Sequence, residues 1–399
     1  MPRTHPDRHP SVPLLYLTGM LLLFACTETG DPPANGTREA HGDPAREEIL
    51  QQISRIRHIR PKAPVQSIVQ ARALLPRADS LATPAAVQEL HRILAVALHD
   101  LGRTDSARMH AEKSLALARE SGEASTIAEA LITAGIARYG AGSLDSAMLY
   151  FSEAERFIDT ETDSLLLAML YANRANVLSR RGDFLQSTKE YLSAIRLFEA
   201  VGRDAERAIL YDNLASDNSR WGNHEQAIVY YRRAIDINRA DSNLSQLAGN
   251  YANLGVSYKE LGDLKQALAA YEQSLTLSRQ LQNNTQIAQN LHNMGNIYRR
   301  RNELARAKNA YEESMRICEN AGLRYGLLLN TIGLGGVSTL LGEPDRAVTL
   351  LRRALASARR MGLPEEEAEV CAALSDAYEA EGNWREALAM RKQHDTLRD

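Results

Sequence analysis

Four asparagines return at one interval. Asn173, Asn213, Asn253 and Asn293 stand 40 residues apart. A primary amide both donates and accepts hydrogen bonds. A row of amides can therefore grip the backbone of an extended peptide without demanding one side-chain sequence. Asn176, Ser216 and Asn296 stand three positions after members of the row, and Asp212 and His292 stand one position before. Arg180, Arg220 and Arg300 make a second row at the same interval. Guanidinium groups so placed can hold the carboxylates of an acidic partner.

Each row also has an internal use. The amides can tie one structural unit to the next. Arginines near the ends of helices interact with the helix dipole, worth about 0.3–1 kcal/mol each. The residues leave both uses open. They do not assemble a reaction centre: ten histidines are scattered without a His-Glu-x-x-His pattern, and no Cys-x-x-Cys pair occurs. No phosphate-cradling loop follows a strand-like run. "GLGGV", Gly333 to Val337, falls inside a helical pattern and reads as packing. The expectation is a protein that is not an enzyme and has no metal or cofactor. A net charge of -3, from 47 basic and 50 acidic residues, gives no argument for nucleic acid.

The elements that carry these rows are legible from the same interval. Asn253, Gly255, Tyr258, Ala267, Tyr271 and Ser274 return as Asn293, Gly295, Tyr298, Ala307, Tyr311 and Ser314. A small residue holds one slot through Gly135, Ala175, Ala215, Gly255, Gly295 and Gly335, and seven positions on comes Gly142, Gly182, Gly222, Gly262, Asn302 or Gly342. Tyr251, Leu254, Gly255 and Tyr258 lie on one face of a helix. Gly262 suits the left-handed position that ends it. Leu264, Ala267, Leu268, Tyr271 and Leu275 mark a second helix. Each unit is a helical hairpin that cannot cover its own apolar face and must stack on the next. On the first helix the asparagine row lies opposite the packing face.

In "YANLGVSYKELGDLKQALAAYEQSL" these residues resemble the tetratricopeptide repeat family, with an aromatic, Leu-Gly, Tyr, a turn Gly, Ala and an aromatic in order. The units here are 40 residues rather than the commoner 34 and lack that form's closing proline, similar to a long-repeat subclass. The resemblance implies an all-α, right-handed superhelical solenoid of about eight repeats. First helices would line a concave groove, with second helices outside. The units run 88–127, 128–167, 168–207, 208–247, 248–287, 288–327, 328–367 and 368–399. Residues 45–87 match few slots and read as a degenerate helical cap interrupted by Pro61, Pro64 and Pro76. Arg391 and His394 stand in two packing slots of the last unit, making its final helix polar and suited to end the stack. "TIGLGGVSTLLGEP", Thr331 to Pro344, is apolar and glycine-rich and fits either a hydrophobic pocket or tighter local packing.

The N-terminus is a different kind of segment. Arg3 and Arg8 precede the apolar run Val12 to Ala25, which at about 21 Å of helix is too short to span a bilayer. That is the pattern of a signal peptide, residues 1–25. "LFAC" resembles the bacterial lipobox, which implies a lipidated Cys26. Residues 26–44, rich in Pro, Gly and charge, read as a flexible tether. Cys318 and Cys371 fall in non-adjacent helices, are not expected to pair, and read as small buried side chains.

The expected function is a lipid-anchored scaffold of the bacterial cell envelope. Its groove would bind a peptide or a segment of an envelope protein, and its membrane contact would run through Cys26. Thr27, where an aspartate would favour inner-membrane retention, leans towards the outer membrane. The alternative is a sensory input domain working with a separate membrane signalling partner, because the closing "AYEAEGNWREALAMRKQHDTLRD" is similar to the end of such domains. Head-to-tail self-association through open solenoid ends remains compatible with the sequence.

Overall fold

The computed structural model describes residues 43–398. The signal-like segment, Cys26 and most of the tether lie outside the described residues. Within them every element is an α-helix and there is no strand. The chain divides into two compact units, 1–217 and 218–399.

In the first unit α1 (Pro44–Ile59), α2 (Pro64–Ser80), α3 (Pro84–Asp100), α4 (Thr104–Ser121), α5 (Ala124–Gly140), α6 (Leu144–Glu155), α7 (Ser164–Arg181) and α8 (Phe184–Ala200) follow one another as hairpins, and α9 (Asp204–Arg220) carries the division within it. The cap is two well-formed helices. Ile49, Ile53 and Ile56 of α1 and Ile68, Ala71 and Leu74 of α2 close a core with Leu90, Leu94 and Leu98 of α3. Pro64 does not interrupt a helix. It begins one, at the position where no backbone N–H is needed. Pro76 lies inside α2 without ending it.

The second unit holds α10 (His224–Ala240), α11 (Leu244–Glu260), α12 (Leu264–Gln280), α13 (Asn284–Arg300), α14 (Leu304–Ala321), α15 (Arg324–Leu340), α16 (Pro344–Met361), α17 (Pro364–Glu381) and α18 (Trp384–Arg398). No helix among the described residues is long and apolar enough to cross a membrane.

The turns set the register. Gly102, Gly142, Gly182, Gly222, Gly262, Asn302, Gly342 and Gly382 all have positive φ, as the turn slot requires. The turns that lead into first helices do the same through Ala82, Gly122, Gly202, Ser242, Gln282, Gly322 and Gly362. A left-handed residue therefore returns about every 20 positions, half the visible repeat. At Gly262 the closing bonds are Gly262 N–H to Lys259 O (3.0 Å) and Asp263 N–H to Tyr258 O (2.9 Å). The next helix is capped at once, since the Asp263 side chain accepts from the Gln266 N–H at 3.1 Å. Asn243 and Asn283 cap α11 and α13 in the same way. One exception falls at residues 156–163, where α6 stops early and the chain is irregular without losing the 40-residue register.

The small slot and the aromatic slot are hole and knob. A Cβ on Gly255 would meet the Tyr271 ring at 2.8 Å, and one on Gly295 would meet Tyr311 at 2.7 Å. Gly135 faces Phe151 and Gly335 faces Leu351 in the same relation. The glycines of α15 also explain that segment. Gly333 leaves room for the Tyr311 ring and a Cβ on Gly336 would come within 3.2 Å of an Arg299 nitrogen, so this stretch packs tightly against its neighbours. In the last hairpin His394 takes over the work of the serines in its slot. Ser274 donates to Ala248 O and Ser314 to Ala288 O, each at 2.8 Å, and His394 Nδ1 lies 2.9 Å from Ala368 O.

Candidate functional site

The predicted amide row falls on first helices in both units, and the two halves of it are held differently. In the first unit Asn173 of α7 is fully buried and donates from Nδ2 to the Met169 carbonyl of its own helix at 2.8 Å, leaving its Oδ1 buried and unpartnered. Asn176, one turn on, accepts through Oδ1 from the Tyr191 hydroxyl of α8 (2.7 Å) and from Nδ2 of Asn213 of α9 (3.4 Å). These three side chains join α7, α8 and α9. Asp212 and Ser216 flank Asn213 and are half-buried. Asp217, which the sequence pattern did not single out, is buried and accepts from the hydroxyls of Ser179 (2.5 Å) and Ser187 (3.2 Å).

Arg180 is exposed, yet it is engaged. It donates to the Tyr139 carbonyl at 3.2 Å and lies over the Tyr139 ring at 5.1 Å. That carbonyl belongs to the last turn of α5. The guanidinium thus meets the negative end of a helix dipole, that of the preceding first helix rather than its own.

In the second unit Asn253 of α11 and Asn293 of α13 are half-buried, and neither side-chain amide makes a hydrogen bond among the described residues. Their neighbours are saturated. His292 is buried, with Nδ1 3.3 Å from Asn330 Oδ1 and Nε2 3.0 Å from Asn296 Nδ2. The neutral ring with its proton on Nδ1 satisfies both contacts. Asn296 Oδ1 accepts from the Tyr311 hydroxyl at 2.6 Å, and Asn330 Nδ2 donates to Gly326 O at 2.7 Å. A continuous hydrogen-bonded chain thus runs from α14 through α13 to α15. Burial pushes the His292 imidazole down to about 4, with the nearby Arg299 and Lys259 charges adding to it. Arg220 and Arg300 are exposed at the ends of α9 and α13, and Arg300 forms no ion pair among the described residues. Lys259 pairs with Glu260 at 3.0 Å.

A third asparagine line escaped the sequence reading although it keeps the 40-residue interval. Asn250, Asn290 and Asn330 are all buried. Asn250 Oδ1 accepts from Asn238 Nδ2 at 2.7 Å, and Asn290 Nδ2 donates to Ser274 Oγ at 2.8 Å. These two tie second helices to first helices, whereas Asn330 meets His292 between first helices. Their even return was the available signal. Cys318 of α14 and Cys371 of α17 are buried free thiols, so they do not pair.

The first helices of the second unit therefore offer two unsatisfied amides one repeat apart, beside a hydrogen-bonded network, with Arg300 at the end of α13. It supplies donors and acceptors to a polar backbone.

Models of the tetratricopeptide repeat match residues 88–113, 166–240, 246–320 and 370–398. No curated protein matches the chain. Among solved structures, the apo form of RapI is similar at a TM-score of 0.69 and 11% identity, covering 88% of this chain and 97% of that one. A Rap protein complexed with competence and sporulation factor follows at 0.53 and 13%, covering 89% and 98%. A signal transduction ATPase with a tetratricopeptide repeat sensor, from Pyrococcus horikoshii, gives 0.56 and 15%, covering 90% and 56%. At these identities the likeness is one of fold.

Proposed function

From the premise that this chain is a tetratricopeptide-repeat protein, we propose that it is a protein-interaction scaffold whose first-helix face holds an extended segment of a partner. The observation that carries the reading is the contrast within the asparagine row. Asn173, Asn176 and Asn213 are spent on internal bonds, whereas the half-exposed amides of Asn253 and Asn293 are not. An amide left partly in water at no structural gain is suited to a backbone that arrives later. That a solved neighbour of this fold is complexed with competence and sporulation factor supports the reading that the fold can hold a ligand.

The same proposal places the scaffold at a bacterial membrane, lipid-anchored through Cys26, with residues 26–44 as the tether. It rests on the sequence pattern of residues 1–26, and incorporation of an alkyne-tagged fatty acid into the wild type but not Cys26→Ser tests it.

The binding reading is tested with the mature chain carrying Cys26→Ser as bait for envelope proteins of its own cells. Asn253→Ala/Asn293→Ala should stay folded and lose the captured partner. Full capture by that variant would overturn the reading. The pair Asn173→Ala/Asn213→Ala serves as the contrast, expected to change thermal stability before it changes capture.

A further inference from the structure

On the outer side of the second unit, a cleft of about 240 Å³ opens between α10 and α12, with α11 as its floor. Ile235, Leu254, Tyr251 and Ala270 line it with apolar surface, and Arg239, Asp236 and Gln273 are among its polar lining residues. At two other seams of this unit a carboxylate straps the equivalent positions. One repeat on, Arg279 of α12 pairs with Glu313 of α14 at 2.6 Å. Three repeats on, the same two residue types recur as Arg359 and Gln393, and there Glu367 bridges them: Arg359 Nε donates to its Oε1 at 2.7 Å and Gln393 Nε2 to the same oxygen at 2.9 Å.

The α10–α12 seam has neither arrangement. Gln273 stands in the slot of Glu313, and Leu247 stands in the slot of Glu367. Arg239 turns instead to the neutral Tyr251 hydroxyl at 2.7 Å, and its nearest carboxylate is Asp236 on its own helix at 3.6 Å. Gln273 makes no hydrogen bond among the described residues. The protein thus repeats an Arg–Gln pair that a carboxylate of a third helix bridges at one site and that no carboxylate from across the seam reaches at the other, where Asp236 of the same helix as Arg239 also lines the cleft.

We infer that this outer cleft docks a segment of a partner protein that inserts a Glu or Asp carboxylate between Arg239 and Gln273 and lays an adjacent aliphatic side chain on Leu254 and Tyr251. The size of the cleft favours a side chain over a free small molecule, for which pockets run roughly 300–1,000 Å³. The carboxylate would complete the charge-assisted bonds that Glu367 completes at the sister site. This surface is separate from the first-helix face of the proposed function, so either can fail alone.

The test uses the full chain and two fluorescein-tagged probes, acetyl-Gly-Leu-Glu-Leu-Gly-amide and its Gln counterpart, read by fluorescence polarisation. The Glu probe should bind about five- to tenfold more tightly. Gln273→Glu supplies the carboxylate from within, as Glu313 does for Arg279, and should remove the preference while leaving the helical circular dichroism intact and the melting temperature equal or higher. Arg239→Gln should remove it as well. Equal affinity of the two probes would overturn the inference, as would a preference that survives both substitutions. Acetate that displaces the Glu probe at equal concentration would also overturn it, by showing that no partner segment is needed.

Discussion

The hydroxyl of Tyr311 donates to Oδ1 of Asn296 at 2.6 Å, while the hydroxyl of Tyr271, one repeat earlier, is buried without a partner. The difference lies in one slot: Val256 stands where Asn296 stands. Tyr191 repeats the satisfied version with Asn176.

Removing the two hydroxyls should therefore have opposite consequences. Tyr311→Phe strands the half-buried Asn296 acceptor and should cost about 1 kcal/mol. Tyr271→Phe removes a polar atom that burial already penalises and should be neutral or stabilising. Urea midpoints of the two variants decide it; equal losses would sink the account.

The hole under Tyr271 gives a second expectation. Gly255→Ala drives a methyl group to 2.8 Å from the ring and should cost about 1–3 kcal/mol. Pairing it with Tyr271→Leu, which thins the knob, should restore part of the loss. Two independent, additive losses in thermal melts would show that the two residues do not share one space.

The third concerns pH. The imidazole of His292 sits near 4 in the folded chain and near 6.5 when unfolded. The unfolded state therefore binds more protons in that window. The stabilisation from a neutral His292 is complete above about pH 6.5 and is lost as pH falls towards 4, up to about 3 kcal/mol. His110, lowered to about 4 by burial and by the charge of His91 beside it, adds a parallel slope in the first unit. His292→Gln keeps a polar group between Asn296 and Asn330 and removes only its own share. Denaturant midpoints between pH 7 and 4.5 should fall less in the variant, and parallel curves would refute the assignment.

The fourth concerns the turns. Gln282 holds φ 53 where Gly262 holds φ 82. Gln282→Gly should stabilise by about 0.5–1 kcal/mol, because glycine enters the left-handed region without the Cβ penalty. Gly262→Ala should lose about 1–2 kcal/mol. Differential scanning calorimetry of both variants checks the sign of each.

How much of this was legible depended on what each residue does. Gly255, Tyr271 and Gly262 declare themselves because shape and backbone conformation admit few alternatives, and they revealed the hairpins. The 20-residue return of the turns stayed hidden because Ala82, Ser242 and Gln282 accept a left-handed φ without looking like glycine. The asparagines were visible but their duties were not. Asn173 and Asn253 share one slot, yet Asn173 is buried and donates to the Met169 carbonyl while Asn253 is half-buried and its amide makes no hydrogen bond among the described residues. The packing of neighbouring helices decides that, and periodicity on one helix does not report it. The outer cleft was missed for a related reason: it is defined by glutamates that are absent at Leu247 and Gln273.

The bonds described above share one property. Even the longest of them, Arg180 with the Tyr139 carbonyl, joins residues 41 positions apart. Closing such short loops carries little entropic penalty, so helical chains of this kind have low contact order and fold fast. During synthesis, a hairpin finds the residues that hold it as soon as the next forty or so have followed it out of the ribosome. Structure can accumulate behind the point of growth, one hairpin at a time, with no late encounter between the two ends of the polypeptide to wait for.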